Sequence, residues 1–458
     1  MLTVVVAGLA ACAAGILLAR WGLVAVPRRL FAGYPNGELA VGAFEPGVIA
    51  LAAVLTVLAA GSAAALARLS GWAVSAAGVL LTLAGLQFAN AGVPDQGIVS
   101  TALVAAGLGV MCGGLLVAAG QQQLAGRLAT AGGFAAGLGV ASPVLLLLAP
   151  RNYDPEALGP DVYLPGIALA LVVAAAVTAT TRPVPATAPT ARVWGPAVAT
   201  AVAAAVLYGG DAALAATVDA LRLSRDGLAS ERRIDFVQDL ARYGMLAVAV
   251  AVGLVLTGYA YRRGRADLAR WTLLCLALAA PLHMGLVRGL YLPSAPYVML
   301  LAAAGAAALG VAAAAYADRW LPADALGVCL AGVGIAVSTA AYRMGPSWGY
   351  ASAVLVATGT GFALAAGLAR VLRTTQGTPV DVAGSAVLGL ATVLLAGQAL
   401  GPLIVEAASS TGYGSDLPLT LPGLAGASAV ALLLLFGVSR AVDRIRRDIQ
   451  DEARRAVS

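Results

Sequence analysis

The sequence predicts an all-α, polytopic membrane protein with about fourteen transmembrane helices. Three observations carry that expectation. Fourteen separate apolar stretches of about twenty residues are each long enough to cross a hydrocarbon core of roughly 30 Å as a helix. The segments between them are mostly short and hold nearly all of the charge. The whole chain is 60% hydrophobic and 11% charged over 458 residues, with a mean hydropathy of +0.89. That is more apolar surface than a water-soluble core hides, so it calls for lipid.

The first span, 2–26, begins at Leu2 without a basic flank and runs past Cys12 to Arg20 and Trp21, which reads as a span rather than a cleaved signal. Spans 46–67 and 72–90 follow, separated by Arg68 and Gly71. The turn-forming run Asn90-Ala-Gly-Val-Pro-Asp-Gln-Gly97 leads into 98–120, and 126–149 comes next. Span 162–181 stops before Arg182-Pro-Val-Pro185. Spans 193–218 and 241–261 flank the longest linker, Asp219 to Arg242, in which five acids and five arginines interleave with Ile234, Phe236, Val237 and Leu240. A surface-lying amphipathic helix and a solvated connector both fit it. The remaining spans are 268–290, 296–316, 324–342, 347–369, 380–404 and 421–440, with Gly345-Pro346 dividing the eleventh from the twelfth.

These spans group as six, two and six. The expected units are an N-terminal six-helix bundle over 1–181, a two-helix insertion with an outer loop over 182–267, a C-terminal six-helix bundle over 268–441 and a charged helical tail over 442–458. In the tail, Asp443 with Arg447 and Arg444 with Asp448 are opposite charges four residues apart, the spacing that supports a helix in water. With the first residue inside, alternation places seventeen of the 28 arginines on the cytoplasmic side, with eight acids inside and thirteen outside. That asymmetry follows the positive-inside rule and predicts a multi-pass protein of the plasma (inner) membrane with both termini cytoplasmic.

Several function classes are set aside by composition. Every basic residue is arginine, a compositional bias rather than a nucleic-acid surface, so no nucleic-acid partner is expected. Cys12, Cys112, Cys275 and Cys329 lie singly in apolar stretches, His283 is the only histidine and the acids are scattered, so no metal and no cofactor is expected. No acid, base and nucleophile gather at catalytic spacing, which argues against an enzyme. Glycine runs such as Gly107-Leu-Gly109 follow no strand and suit helix contact rather than a nucleotide.

An internal duplication shows in matching places. The link between spans 2 and 3 reads Ala65-Leu-Ala-Arg68-Leu-Ser-Gly71-Trp72, and that between spans 10 and 11 reads Ala315-Tyr-Ala-Asp318-Arg319-Trp-Leu-Pro322. Span 5 closes on Gly139-Val-Ala-Ser-Pro143 and span 13 on Gly397-Gln-Ala-Leu-Gly401-Pro402. Pro143, Gly401 and Pro402 weaken the local hydrogen-bond ladder, which suits either helices that rock or simple close packing.

On these residues, together with Val24-Ala-Val-Pro27 at the end of span 1, the chain resembles the major facilitator superfamily, in its fourteen-span drug:proton antiporter branch. The resemblance implies two pseudo-symmetric bundles around a cavity open alternately to each side, with spans 7 and 8 inserted between them. It also implies a conformational loop motif at Arg68 and Gly71 and again at Asp318 and Arg319. The chain departs from that pattern where Arg68 replaces an aspartate, where Leu18 replaces an acid in span 1, and where span 4 lacks an arginine.

A charge among membrane helices costs at least about 2.5 kcal/mol, so each one is a site candidate. Asp211 is the carboxylate placed well inside a span, and His283 follows Pro281; both are candidates for proton coupling, against an interfacial position for Asp211 and a packing hydrogen bond for His283. Arg20 and Arg288 occupy the outer parts of equivalent helices and suit an anionic group, against snorkelling to the headgroups. Gln87 and Gln398 add polar contacts. The expected function is secondary active transport, of the efflux type, of a small organic or amphiphilic molecule through the lipid bilayer, with protons as the coupling ion. The alternative is a non-transporting scaffold or partner-binding relative.

Overall fold

The computed structural model describes residues 1–25, 70–90, 97–148, 163–178, 191–223, 231–262, 266–291, 296–317, 322–344, 346–374 and 386–397. Among these the backbone is helical apart from short turns, with no strand. Helix α1 (Leu2–Leu17) continues as a π-helical segment, Leu18–Ala25. Next come α2 (Gly71–Asn90), α3 (Gly97–Gln121), α4 (Leu124–Leu148) and α5 (Tyr163–Thr178). The intermediate pair is α6 (Ala191–Leu223) and α7 (Glu231–Arg262). Then follow α8 (Ala266–Tyr291), α9 (Pro296–Ala312, with a π-helical end Ala313–Ala317), α10 (Ala323–Met344), α11 (Pro346–Thr374) and α12 (Ala386–Gly397). Spans 46–67 and 421–440 and the tail 442–458 lie outside the described residues.

Seven of these helices are long and apolar enough to cross a membrane, and the rest include shorter apolar helices. Leu9, Leu80, Ile167, Leu301 and Leu309 are exposed along the outside. Apolar side chains on the perimeter of an apolar interior are what a lipid solvent selects. The chain is an all-α membrane protein.

Within the linker Asp219–Arg242, α6 continues to Leu223 and α7 begins at Glu231, so Ile234, Phe236, Val237 and Leu240 stand in the first turns of a helix that runs on to Arg262. Extending a formed helix is far cheaper than nucleating one. Arg232 with Asp235 and Asp239 with Arg242 also have the three-residue spacing of helical ion pairs. At 33 and 32 residues, these two helices reach roughly 50 Å, well past the bilayer core.

Two antiparallel hairpins, α2–α3 and α10–α11, carry the tightest packing. A Cβ on Gly78 would collide with the backbone of Met111 and Gly107; one on Gly327 would collide with Ala363 and Gly359. Higher up, Gly85 rests on Leu103 and Val104, and Gly334 on Leu355 and Val356. Ser100 Oγ donates to the Gly85 carbonyl at 2.7 Å, and Ser352 Oγ donates to the Gly334 carbonyl at 2.7 Å. At these contacts the hairpins correspond, α2 to α10 by one constant offset and α3 to α11 by another. This is the duplication expected from the loops, written in helix contacts instead. Ser100→Ala and Ser352→Ala are expected to lower stability equally, each by about 0.6 kcal/mol, the usual worth of a hydrogen bond between membrane helices. Paired thermal unfolding curves in one detergent check this.

Around the hairpins, α1 packs on α4 and α5, and α8 packs on α10 and α11. The α6–α7 pair attaches through α7, where Thr272 Oγ1 donates to Thr257 Oγ1 at 3.2 Å and Gly253 accepts Leu276. Helix α4 forms the seam between the two sets, facing α8, α9 and α11.

Candidate functional site

The most concentrated chemistry lies at the end of the bundle where α1, α4 and α8 begin. Asp324 is the second residue of α10, in the first turn, where the partial positive charge of a helix N-terminus favours a carboxylate. It is buried, 1% exposed. Arg270, from the start of α8, grips it with two hydrogen bonds, Nε to Oδ2 at 2.6 Å and Nη2 to Oδ1 at 2.7 Å. Arg370, from the end of α11, adds Nη1 to Oδ2 at 2.8 Å. One carboxylate therefore ties three helices together, with the forked geometry that makes arginine–carboxylate contacts strong.

Two more arginines close helix ends by donating to main-chain carbonyls. Arg373 Nη1 donates to the carbonyls of Ala314 at 2.6 Å and Ala315 at 3.0 Å, in the π-helical end of α9. Arg127, in the first turn of α4, donates from Nε to Gln122 O at 3.1 Å, from Nη2 to Gly120 O at 3.0 Å and from Nη1 to Leu372 O at 3.3 Å. A helix C-terminus leaves its last carbonyls without donors and carries partial negative charge, so guanidinium groups suit it.

Further along the seam the contacts are small and apolar. Gly132 of α4 meets Val311 of α9, Gly139 meets Ala303, and Val140 packs with Ala303 of α9 and Ala357 of α11. On the other side of α4, Gly133 presses on Gly8 of α1 and Gly137 on Cys12. Pro143 is buried within α4 and the helix continues through it.

Arg20 is 5% exposed, within the π-helical segment after α1, with its guanidinium 5.0 Å from the centre of the Trp21 ring, itself buried. That segment packs against α3, α4 and α8, hence beside the seam. His283 is buried too, at 3% exposure. It shares a helix face with Thr272 and Leu276 by the positions i, i+4 and i+11, and both of those touch α7. Asp211 lies on α6, next to Gly210, which presses on Val248 of α7; its side chain, like that of Arg288 near the C-terminal end of α8, is outside the described residues. Gln87 is exposed on α2.

Gly71, read from sequence as part of a loop, is the first residue of α2; its N–H donates to Gln121 Oε1 at 3.1 Å, and a Cβ there would collide with Ala118. Arg68, Asp318, Arg319, Gln398, Gly401 and Pro402 lie outside the described residues. The cluster around Asp324 was missed because that acid stands at the first position of span 324–342 and reads as a loop charge. The usable signal was its place between Arg270 and Arg370, all three on the same predicted side.

No protein-family description and no curated protein matches the sequence. The fold does match solved structures. It is similar to the peptide transporter POT in complex with sulfate, at 16% identity over 96% of this chain and 95% of that one, with a TM-score of 0.53. It is similar also to POT family transporters in complex with a thioalcohol-conjugated peptide and with 5-aminolevulinic acid, at 14% and 12% identity, each over 96% of both chains with a TM-score of 0.53. At such identities the likeness is one of fold alone.

Proposed function

We propose that this chain is a secondary active transporter that exports a small organic or amphiphilic molecule by alternating access, in the manner of the fourteen-span drug:proton antiporters that its loop residues resemble. The seam carries this reading. Helix α4 meets the opposite set through Gly132, Gly139 and Val140 against Val311, Ala303 and Ala357, surfaces with few interdigitating side chains. Small residues allow close approach without locking two helices in one register, so the sets are free to rock. The arginine-rich end is assigned to the cytoplasm of the inner membrane by the positive-inside rule.

Within this reading Arg20 receives an anionic group of the substrate. A buried guanidinium beside the seam offers charge-assisted hydrogen bonds in a setting of low dielectric. Arg288, Gln87 and Gln398 are assigned supporting contacts along the path. Asp211 and His283, on helices either side of α7, are assigned to proton exchange, which would couple the inserted pair to transport. The test is substrate flux in proteoliposomes with and without a pH gradient, using a panel of amphiphilic anions and cations. Anion flux that follows the gradient and falls at least tenfold in Arg20→Gln supports the reading. Flux absent across the panel, with one protein co-purifying stably, supports the scaffold alternative instead.

A further inference from the structure

The offset that relates α3 to α11 through Ser100 and Ser352, and through Gly107 and Gly359, carries Gly120 onto Leu372. These are the two residues whose carbonyl oxygens Arg127 holds, at 3.0 Å and 3.3 Å. A single side chain thus chelates equivalent atoms of the two repeats. We propose that Arg127 stands on the pseudo-twofold axis as a clamp that keeps the cytoplasmic mouth shut, and that opening to the cytoplasm requires releasing one of its two equivalent carbonyls. The inference rests on the alternating-access reading above and adds to it the group that sets the resting state.

The asymmetry of the three bonds decides which one gives way. Gln122 and Gly120 belong to the same repeat as Arg127 and move with it, whereas Leu372 belongs to the other. The bond to Leu372 is also the longest of the three. When the sets part, Nη1 loses Leu372 and turns to water, while Nε and Nη2 keep their partners, so the guanidinium is never stripped bare and re-engages without a new conformational search. A closed mouth held by a charged donor on a helix-end carbonyl is firm yet reversible, because water competes for both groups once it enters. Arg373 makes the same kind of contact, but to Ala314 and Ala315 within its own repeat, and serves as the internal control.

The experiment is a distance measurement between spin labels at Gln123→Cys and Thr374→Cys, both exposed at the cytoplasmic end, on full-length protein with the four native cysteines replaced. It needs no substrate, so it reads the clamp even if the transport assay finds no flux. Unaltered Arg127 is expected to give mainly the short distance. Arg127→Ala is expected to raise the ratio of long to short distances about tenfold, the scale of one hydrogen bond to a charged group. Arg127→Lys should not fully restore the short state, because one ammonium nitrogen cannot stand at the three separate places that Nε, Nη1 and Nη2 occupy. Arg373→Ala should lower thermal stability and leave the distance ratio unchanged. An unshifted ratio in a folded Arg127→Ala protein overturns the proposal, as does full restoration by lysine. If Arg127→Ala does not fold, Arg127→Met, which keeps the length of the side chain and has no donor, is read against the same criterion.

Discussion

Asp324→Asn is expected to destabilise the C-terminal set by about 3 kcal/mol or more, the scale for breaking one partner out of a buried ion pair. Asparagine matches the carboxylate in shape, so the loss comes from charge rather than packing. Two guanidinium groups would then face each other across a neutral amide, and Arg370, whose side chain is 10% exposed, has little water to turn to. Arg270, at 16%, has somewhat more. Arg270→Ala should therefore cost less than Asp324→Asn, because it leaves one arginine paired with the acid. Thermal unfolding in detergent, followed by light scattering and tryptophan emission, measures the order. If Asp324→Asn unfolds within a degree or two of the unaltered protein, the three-helix tie contributes little and the C-terminal set is held by its apolar contacts alone.

Gly78→Val and Gly327→Val are expected to abolish a folded, monodisperse protein, and to do so equally. At Gly78 the neighbours in the way are backbone of the facing helix, and at Gly327 they are the Ala363 Cβ and the backbone beside it, which no rotamer change moves aside. The hairpin would have to splay, losing close contact along its length. Gly258→Val and Gly305→Val supply the contrast, since nothing stands within 4 Å of a Cβ at either place. Size-exclusion profiles of the four variants in one detergent settle the matter: two profiles should collapse into the void volume and two should match the parent. Unequal outcomes at Gly78 and Gly327 would contradict the equivalence of the two hairpins.

The helices were legible because membrane spans are a composition problem. Once about twenty apolar residues run without charge, lipid leaves the backbone no alternative to a helix, and α2, α3, α8 and α10 begin and end within two residues of the stretches that predicted them. The long start of α7 was half legible: Ile234, Phe236, Val237 and Leu240 among its charges fitted an amphipathic helix and a solvated connector alike, and composition does not choose between them. The site was less visible for a different reason. Charges inside spans draw attention, so Arg20 and His283 were singled out, and both are buried. The strongest ionic contacts sit at span ends, where Asp324, Arg270 and Arg370 are indistinguishable in sequence from solvated loop charges. Arg127 was harder still, for its partners are carbonyls, and main-chain acceptors leave no mark on a sequence.

The glycines that press on the facing helix in the first hairpin fall at 71, 78 and 85 on α2 and at 107 and 114 on α3, seven residues apart. A straight α-helix drifts by about 20° per heptad against such a spacing, so the stripe stays on its partner only if the two helices wind about each other in a left-handed sense. A wound pair behaves like a two-ply cord. Torque applied at one membrane surface is delivered at the other, and a hairpin built this way would hand a change at the inner leaflet to the outer one without bending.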